Sequence, residues 1–375
     1  MLHGNGHMII LVSISLDPVS GWGTLTYNYA HALWGQGVPF VLLLPRSARV
    51  PDVPFSGAIK RILPDLPLSF GGPKSLFSLF RLWRSIPYVP SPGSLVHSLV
   101  DFPYAVLGYR FARSRGLPFV MNAIGTYSVA PFSRFPDRHL FLPAYLSATR
   151  IVAISRYTAS RMARAAGVSR DIDVVYLPAA FPVPRGEEDF SVMDALPAGR
   201  RYILTVSSPR AIGRKGFDIV SAAVSSLVPD FPDIHLVAVG GTAHSTAACT
   251  VFPRVSAARL AALYARSYAF VAAPRESGGH FEGYGLVYRE AGLYGKPVVG
   301  TVSGGVPEAV SDGITGFLVP ENSPDRTASA LRRLLDDPSF ASRIGEVGRR
   351  QAAAWTWDMY AEETGRIYAG LLSRP

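Results

Sequence analysis

The sequence predicts an α/β fold built from two domains in series, each a parallel sheet covered by helices. Three observations lead to this prediction. The chain has 375 residues, the length of two or three ordinary domains. Short apolar runs of strand length alternate with helical patterns along the chain. A stretch at 178–199 is rich in proline, glycine and acidic residues, has the composition of a linker, and divides the series in two.

In the first half we expect strands and helices in alternation. The predicted strands are Met8–Ser13, Pro39–Leu44, Leu95–His97, Pro118–Met121, Ile151–Ile154 and Asp173–Leu177. The predicted helices span about 23–35, 74–86, 104–115 and 156–166.

The second half repeats the alternation. Its predicted strands are 201–206, Ile234–Val239, Ala269–Ala272, Pro297–Gly300 and Gly316–Val319. Its predicted helices span about 215–227, 256–265, 285–293 and 324–335, with two more after Pro338. Doubly wound sheets of this kind bind ligands at the carboxyl ends of their strands, but a dinucleotide oxidoreductase shares the outline.

Composition excludes several classes of protein. Charged residues make up 17% and apolar residues 48%, which excludes wholesale disorder. A single cysteine, Cys249, excludes a disulfide framework and a cysteine-based zinc site. No apolar run reaches the roughly 18 residues of a membrane-spanning helix, and the N-terminus lacks the pattern of a signal peptide. We therefore expect a cytoplasmic protein.

The net charge of +10 is unevenly distributed. Residues 1–185 carry a net charge of +11, whereas residues 186–375 carry −1. This asymmetry favours an anionic partner for the first half, which leaves nucleic acid, a membrane surface or a phosphorylated ligand open. An arginine-rich composition that serves only solubility is the alternative.

The most informative segment is the loop and helix at 281–291. A glycine-bearing loop here follows a predicted strand and leads into a helix, whose free N–H groups and dipole favour an anion. Glu282 and Glu290 are eight residues apart, which is about two helical turns if the residues between them are helical and would then put both carboxylates on one side. Carboxylates accept hydrogen bonds from hydroxyls, so they suit a sugar or a ribose.

Glu282 and Glu290, with seven residues between them, resemble the EX7E signature of retaining GT-B glycosyltransferases of family GT4. The similarity continues through Ser303-Gly304-Gly305-Val306-Pro307-Glu308 and on to Val319. The resemblance implies a GT-B fold, two Rossmann-like domains facing each other across a cleft. It assigns acceptor binding to 1–185, donor binding to 186–357, and a helix crossing back to the first domain to 358–375.

The resemblance also implies roles for the residues of this loop. Glu290 would bind the nucleotide ribose, and Glu282 would bind hydroxyls of the transferred sugar. Gly304 and Gly305 would shape the neighbouring loop. Backbone amides would hold the diphosphate at Gly283, Tyr284, Gly285 and Leu286.

Arg210 and Lys215 lie in a loop that resembles the family's strand–Arg–loop–Lys-Gly segment. Their charges suit the negative charge that grows on the β-phosphate as the glycosidic bond breaks. Arg214 is a competing candidate for this role. Gly21 and Gly23 resemble the family's N-terminal glycine loop, although a plain strand–helix turn has the same appearance.

Two segments depart from the family. Ile124 stands where members often carry a histidine, so contacts to the sugar or acceptor would come from His97, Asp101, Asn122 or Tyr127. A helix usually found after Gly240-Gly241 is shortened or missing. The resemblance places base contacts near Arg254 and Val255, in the segment resembling the base-binding strand.

No cofactor or metal is expected. Asp171 and Asp173 form an Asp-x-Asp pattern, but they precede a strand far from the diphosphate motifs. Family members generally use basic groups in place of a metal.

The predicted helix 74–86 has apolar residues on one face and basic residues largely on the other, as helices on membrane surfaces do. An ordinary helix packed on the core is the alternative. The candidate membrane residues are Lys74, Phe77, Phe80, Arg81, Trp83 and Arg84.

We expect a retaining glycosyltransferase that moves a hexose from a nucleoside diphosphate sugar to a hydroxyl acceptor. The acceptor is expected to be lipid-linked or membrane-associated, and the enzyme to be peripheral on the inner face of the membrane, without a nucleic-acid partner. The alternatives are a nucleotide-sugar epimerase or hydrolase of the same fold, and an inactive nucleotide-sugar-binding protein at the membrane. The base, sugar, acceptor and linkage are left open.

Overall fold

The computed structural model describes residues 7–17, 21–68, 86–181, 183–207, 213–241 and 245–372. The chain divides into two compact units. Unit 1 comprises Met1–Leu177 together with Trp357–Pro375, and unit 2 comprises Pro178–Thr356. The first segment of unit 1 ends at Leu177, whereas the expected domain boundary was at 185. The observed boundary therefore precedes the acid-rich part of the linker.

Unit 1 contains a seven-stranded sheet in the order β3-β2-β1-β4-β5-β6-β7. All its strand pairs are parallel. The strands are β1 (Ile9–Val12), β2 (Phe40–Pro45), β3 (Ile59–Leu63), β4 (Leu95–Ser98), β5 (Phe119–Ala123), β6 (Arg150–Ala153) and β7 (Asp173–Val174). The α-helices are Gly21–Gly35, Tyr104–Arg113, Thr126–Val129, Asp137–Ser147, Arg156–Ala166 and Trp357–Leu372.

Unit 2 contains a six-stranded parallel sheet in the order β10-β9-β8-β11-β12-β13. Its strands are β8 (Arg201–Val206), β9 (Ile234–Val239), β10 (Cys249–Phe252), β11 (Ser267–Val271), β12 (Val298–Thr301) and β13 (Gly316–Val319). Its α-helices are Phe217–Leu227, Ala257–Arg266, Leu286–Leu293, Val306–Ala309, Pro324–Asp336 and Pro338–Ala353. The prediction of two parallel α/β sheets is confirmed.

The central strands of both sheets are buried on both faces and are mostly apolar, although β4 and β5 also bury His97 and Asn122. Strand β1 is Ile-Ile-Leu-Val and is buried at every position, as a parallel strand covered by helices requires. Strand β3, which the sequence analysis did not predict, is an edge strand with Lys60 and Arg61 exposed. Its charges break the apolar pattern, and they also discourage pairing with another chain.

The C-terminal helix Trp357–Leu372 belongs to unit 1 and packs on the helix Gly21–Gly35 through polar contacts. The Tyr29 hydroxyl lies 2.7 Å from the Tyr368 hydroxyl and 2.8 Å from Thr364 Oγ1. The rings of Tyr29 and Tyr360 meet edge to face at 5.3 Å between centroids. These contacts join residues more than 300 positions apart in the sequence.

The predicted helix 74–86, with Lys74, Phe77, Phe80, Arg81, Trp83 and Arg84, lies almost entirely outside the described residues. Within the part of the chain that the structure describes, no helix is both long and apolar enough to cross a membrane.

Candidate functional site

The site lies at the carboxyl edge of the sheet in unit 2, at the point where the strand order reverses. From β8 the chain passes to β9 and β10 on one side, and it then returns to β11, β12 and β13 on the other side. Loops that follow β8 and β11 therefore part in opposite directions and leave a crevice between them. Doubly wound sheets bind ligands at such a switch point.

Lys215 and Glu282 meet across this crevice. Lys215 follows β8, Glu282 follows β11, and the Lys215 ammonium forms an ion pair with Glu282 Oε2. The side chains are 21% and 15% exposed, so the pair is shielded from water yet can still be reached by a ligand. The structure thus brings together two of the three residues predicted to be catalytic. The third, Arg210, lies outside the described residues.

Close backbone contacts hold Lys215 in place. The Ala273 N–H donates to the Lys215 carbonyl at 3.0 Å, which ties the Lys215 loop to the end of β11. The next residue, Gly216, has φ +70°, and a Cβ there would lie 2.0 Å from the Ala273 carbonyl oxygen. Only glycine permits this approach. Arg214, the competing candidate, is half-buried, and its carbonyl accepts from the Arg275 N–H at 3.1 Å.

The glycines after β12 support the backbone of Glu282 from the other side. The Gly305 N–H donates to the Glu282 carbonyl at 2.8 Å. A Cβ on Gly304 would lie 2.2 Å from that same carbonyl oxygen, and a Cβ on Gly305 would lie 2.2 Å from the Gly283 carbonyl oxygen. The pair of glycines therefore lets the two loops touch.

The helix Leu286–Leu293 matches the helix predicted over about 285–293. Glu282 lies in the loop before it and Glu290 lies in the helix, so the condition for counting two helical turns between the glutamates, that the residues between them are all helical, is not met. Gly285, at φ +92°, is the N-cap residue, and Gly283 and Tyr284 are buried beside it. The first N–H groups of this helix lack partners within the helix and can bind an anion.

Glu290 is half-buried, and burial raises its pKa to about 7. Two groups oppose this shift. The Tyr264 hydroxyl donates to Glu290 Oε2 at 3.1 Å, and the positive charge of Lys215 acts through space. Lys215 therefore stabilises the negative charge of both glutamates.

Tyr264 is a residue that the sequence analysis missed. It is fully buried near the end of the helix Ala257–Arg266. Its ring stacks on that of Tyr294, with 5.6 Å between centroids and 10° between planes. Among the described residues, the buried Tyr294 hydroxyl has no hydrogen-bond partner. A tyrosine in an amphipathic helix has the same sequence pattern as an ordinary core residue. No signal in the sequence therefore distinguishes Tyr264 from a residue of the core.

The two residues expected near the base follow β10. Arg254 is exposed and Val255 is half-buried against a core cluster. Residues 240–241 and 245–248, the described part of the connection between β9 and β10, contain no helix. The expectation that a helix after Gly240-Gly241 is shortened or missing concerns this connection, of which residues 242–244 lie outside the described residues.

The candidates in unit 1 lie at the carboxyl edge of its sheet. Gly21 and Gly23 belong to the first turn of the helix Gly21–Gly35, not to a loop before it. Tyr127 is half-buried, and its ring lies 5.4 Å from that of Trp22. Ile124 is also half-buried, at the end of β5.

The three other candidates for the acceptor are buried side chains of unit 1. His97 lies between Tyr368 and Asn122, with 2.9 Å between His97 Nε2 and Asn122 Oδ1. Asp101 Oδ2 accepts from the Ser128 hydroxyl at 2.7 Å. His97 and Asn122 are 0% exposed and Asp101 is 1% exposed, so none offers surface to an acceptor. Their hydrogen bonds are made inside the unit, except that Asp101 Oδ1 has no hydrogen-bond partner among the described residues.

The acidic pair considered for a metal has a different partner. Asp173 lies in β7, and its Oδ2 accepts from Arg150 Nε at 2.7 Å. Across the described ranges, no three or more His, Cys, Asp or Glu side chains are grouped as a metal site would need.

With this geometry established, the chain can be compared with known proteins. Residues 19–179 match the profile described as Glycosyltransferase Family 4, and residues 192–351 match that described as Glycosyl transferases group 1. The chain is 31% identical, over 290 residues, to a GDP-mannose-dependent alpha-(1-6)-phosphatidylinositol monomannoside mannosyltransferase from Mycolicibacterium smegmatis. The aligned part covers 72% of this chain and 74% of the relative.

Solved structures share the fold. Sucrose-phosphate synthase from Thermosynechococcus elongatus superposes with a TM-score of 0.74 at 20% identity, covering 98% of this chain and 99% of that one. Anabaena HepE in complex with UDP and glucose superposes with a TM-score of 0.70 at 15% identity, covering 97% and 99%. These likenesses concern the fold, and they confirm the expected GT-B class.

Proposed function

Because the chain belongs to glycosyltransferase family 4, we propose that it moves a hexose from a nucleoside diphosphate sugar to a hydroxyl of a lipid-linked acceptor. The anomeric configuration is retained in this proposal. The observation that carries it is the Lys215–Glu282 ion pair beside Glu290, at the switch point of the unit 2 sheet.

In this proposal, different groups at this edge of the sheet bind different parts of the donor. Glu290 accepts hydrogen bonds from the ribose hydroxyls, and Glu282 accepts from hydroxyls of the sugar. The N–H groups at Gly285 and Leu286, at the helix N-terminus, bind the diphosphate. Lys215 lies close enough to pair with Glu282, so it can also reach a phosphate bound between the two loops.

The proposed reaction breaks the bond between the anomeric carbon and the β-phosphate oxygen. Negative charge grows on that phosphate as the bond lengthens, and Lys215, together with Arg210, stabilises it. The acceptor oxygen bonds to the anomeric carbon on the face from which the phosphate departs. The acceptor proton passes to the departing phosphate, so no protein carboxylate becomes a covalent nucleophile and no metal is required.

The choice of acceptor rests on the relative and on charge. The mycobacterial relative is named for a phosphatidylinositol mannoside, an acceptor with a lipid anchor. Residues 1–185 of this chain carry a net charge of +11, which suits an anionic membrane or lipid phosphate. We therefore propose peripheral attachment to the membrane and a role in glycolipid or polysaccharide synthesis.

Radiolabelled donors test the proposal. The full chain is incubated with a membrane extract and with labelled GDP-mannose, GDP-glucose, UDP-glucose or UDP-N-acetylglucosamine, and the label is then partitioned. Label in the lipid phase is the expected result. Label released as free or isomerised sugar would instead support the hydrolase or epimerase. Donor binding without turnover would support an inactive binding protein.

A further inference from the structure

The helix Asp137–Ser147 of unit 1 leaves an apolar face in solvent. Its inner face packs Phe141, Ala144 and Tyr145 into the core. On the outer side, residues at helical spacing are exposed: Phe135 just before the helix, then His139, Pro143 and Leu146. Phe135 is 80% exposed and Leu146 is 49% exposed. Outer faces of helices ordinarily carry charged residues, so this face is unusual.

The C-terminal end of the helix Arg156–Ala166 lies alongside this face. Arg138 donates to the carbonyls of Ala165 and Ala166, at 3.4 and 3.3 Å, and so satisfies the end of the helix Arg156–Ala166. The Tyr145 hydroxyl donates to the Val168 carbonyl at 2.9 Å. Val168, itself 42% exposed, is thereby held beside the helix Asp137–Ser147. The apolar surface therefore spans both segments.

Basic residues outnumber acidic ones around this surface. Residues 134–173 contain seven arginines and three aspartates, and one of the arginines, Arg150, is paired with Asp173. Asp137 is 1% exposed, so it does not face solvent, whereas Asp171 is exposed. Arg134 and Arg164 are exposed, and the Arg170 guanidinium donates to the Leu146 carbonyl at 3.2 Å. The exposed arginines leave the surface with a positive balance.

The surface reaches the edge of the sheet where an acceptor would be bound. The chain leaves β5 at its carboxyl end, passes Tyr127 and Phe135, and then turns back along the helix Asp137–Ser147 towards β6. Phe135 and Arg134 therefore lie towards the carboxyl edge of the unit 1 sheet. An aromatic ring inserted between lipid head groups, with arginines on the phosphates, matches this arrangement.

We propose that Phe135, the outer face of the helix Asp137–Ser147 and Val168 form a docking surface for an anionic lipid bilayer. This surface is distinct from the predicted helix 74–86. The inference rests on the proposed function, because a lipid-linked acceptor requires the enzyme to meet a membrane. The arginines provide attraction to lipid phosphates, and the apolar side chains provide shallow insertion.

Vesicle sedimentation tests this inference with the full chain. The probes are vesicles of phosphatidylcholine mixed with phosphatidylglycerol, and vesicles of phosphatidylcholine alone. The test variant is Phe135→Ser with Leu146→Ser, and a separate variant is Arg134→Glu. The control is Ile314→Ser in unit 2, where an isoleucine of similar exposure, 53%, lies outside the surface.

We expect the wild-type chain to bind the phosphatidylglycerol vesicles and to dissociate at high salt. The double serine variant is expected to bind about tenfold less tightly, because two apolar side chains no longer insert. Arg134→Glu should also weaken binding, whereas Ile314→Ser should not. A wild-type chain that binds neither vesicle, or both equally, would overturn the inference, as would variants that bind like the wild type.

A second measurement separates this inference from the proposed function. Stabilisation by GDP or UDP in a thermal melt reports the donor site of unit 2, and it should be the same in all of these chains. Vesicle binding lost with donor binding intact would implicate the surface alone. Vesicle binding without donor binding or transfer would leave the surface in place and would refute the proposed enzyme activity.

Discussion

The Tyr264 hydroxyl donates a hydrogen bond to Glu290 Oε2 at 3.1 Å, and the same oxygen atom carries part of a charge that burial disfavours. The two residues come from helices on either side of β11 in the sequence. Tyr264 orients the carboxylate, and its hydrogen bond opposes the burial that raises the pKa of Glu290 to about 7. It is therefore a positioning residue for the proposed ribose contact.

Tyr264→Phe should weaken binding of a nucleoside diphosphate by about tenfold, the usual cost of one hydrogen bond to a charged group. The pKa of Glu290 should rise further, so the loss should grow as the pH falls from 8 to 6. Titration calorimetry across this range measures both effects. Tyr294→Phe is the matched control, because its ring belongs to the same stacked pair and its hydroxyl has no hydrogen-bond partner among the described residues.

The groups near Glu290 that titrate or carry charge are Lys215, Tyr264 and Tyr294, with Glu188 and Arg185 near the Tyr294 ring. Glu290→Gln removes the titration of this carboxyl, so adding Tyr264→Phe to Glu290→Gln should leave the pH dependence between 6 and 8 the same as in Glu290→Gln alone. Equal affinities in Tyr264→Phe and Tyr294→Phe would refute the positioning role.

Glu290→Gln should make the unliganded protein more stable above pH 7. The folded chain holds the Glu290 proton up to about pH 7, whereas the unfolded chain releases it near 4.5. Between these values the folded state binds more protons, so stability falls as the pH rises. We expect a gain of about 1 to 3 kcal/mol at pH 8 and little difference at pH 4, measured by urea unfolding. A loss of stability at pH 8 would contradict this account.

Gly304→Ala should reduce glycosyl transfer more than its effect on folding explains. The new Cβ would lie 2.2 Å from the Glu282 carbonyl oxygen and would displace the loop that bears Glu282. Gly313→Ala provides the control, since Gly313 has a similar left-handed φ of +70° but open space around it, so the variant incurs only the conformational cost of about 1 kcal/mol. Transfer rates and melting temperatures of both variants separate the effect on catalysis from the effect on folding. Equal transfer rates in the two variants would contradict the role of Gly304.

Tyr368→Phe should loosen the C-terminal helix from unit 1. Burial lowers the pKa of His97 to about 4, so His97 is neutral. Asn122 Nδ2 donates to the Leu99 carbonyl, so Asn122 Oδ1 accepts from His97 Nε2 and His97 Nδ1 accepts from Tyr368. Losing that donor leaves buried groups unpaired and should cost about 1 to 3 kcal/mol.

Urea unfolding measures that cost. The control is Tyr202→Phe, whose hydroxyl donates to the Pro197 carbonyl in solvent. Hydrogen exchange of the helix Trp357–Leu372 should accelerate in Tyr368→Phe and not in the control. Unchanged exchange would show that the polar cluster does not anchor this helix.

Ser128→Ala should destabilise unit 1 by about 2 kcal/mol, because one hydroxyl serves three buried groups. Ser128 Oγ donates to Asp101 and accepts from the N–H groups of Ile124 and Gly125. Burial already raises the pKa of Asp101 to about 7, and losing the Ser128 donor should raise it further. Thermal melts measure the loss, with the exposed Ser133→Ala as control, and equal melting temperatures would contradict it.

The sequence predicted the elements whose signals are local. Strand β9 was predicted with its observed bounds, Ile234–Val239, because it is apolar and flanked by turns. The meeting of Lys215 with Glu282 also follows from general rules, since loops after neighbouring parallel strands share one edge. The helix predicted over about 285–293 was also confirmed, since the observed helix is Leu286–Leu293 and Gly285 marks its start.

Long-range partners could not be predicted. His97 was named as a candidate acceptor contact because Ile124 occupies the position where family members often carry a histidine. Its partner Tyr368 lies 271 positions away, on a helix whose packing no local pattern reveals. Tyr264 was missed for the same reason, since its hydroxyl finds Glu290 only after the helices pack.

The most direct test of the donor site is titration calorimetry of GDP and UDP against three chains: the wild type, Lys215→Ala and Glu290→Ala. If the nucleotide lies against Lys215 and Glu290, the wild type should bind it saturably. Both variants should then bind it at least tenfold less tightly. Folded variants that bind as tightly as the wild type would contradict the account, because the nucleotide would then lie elsewhere.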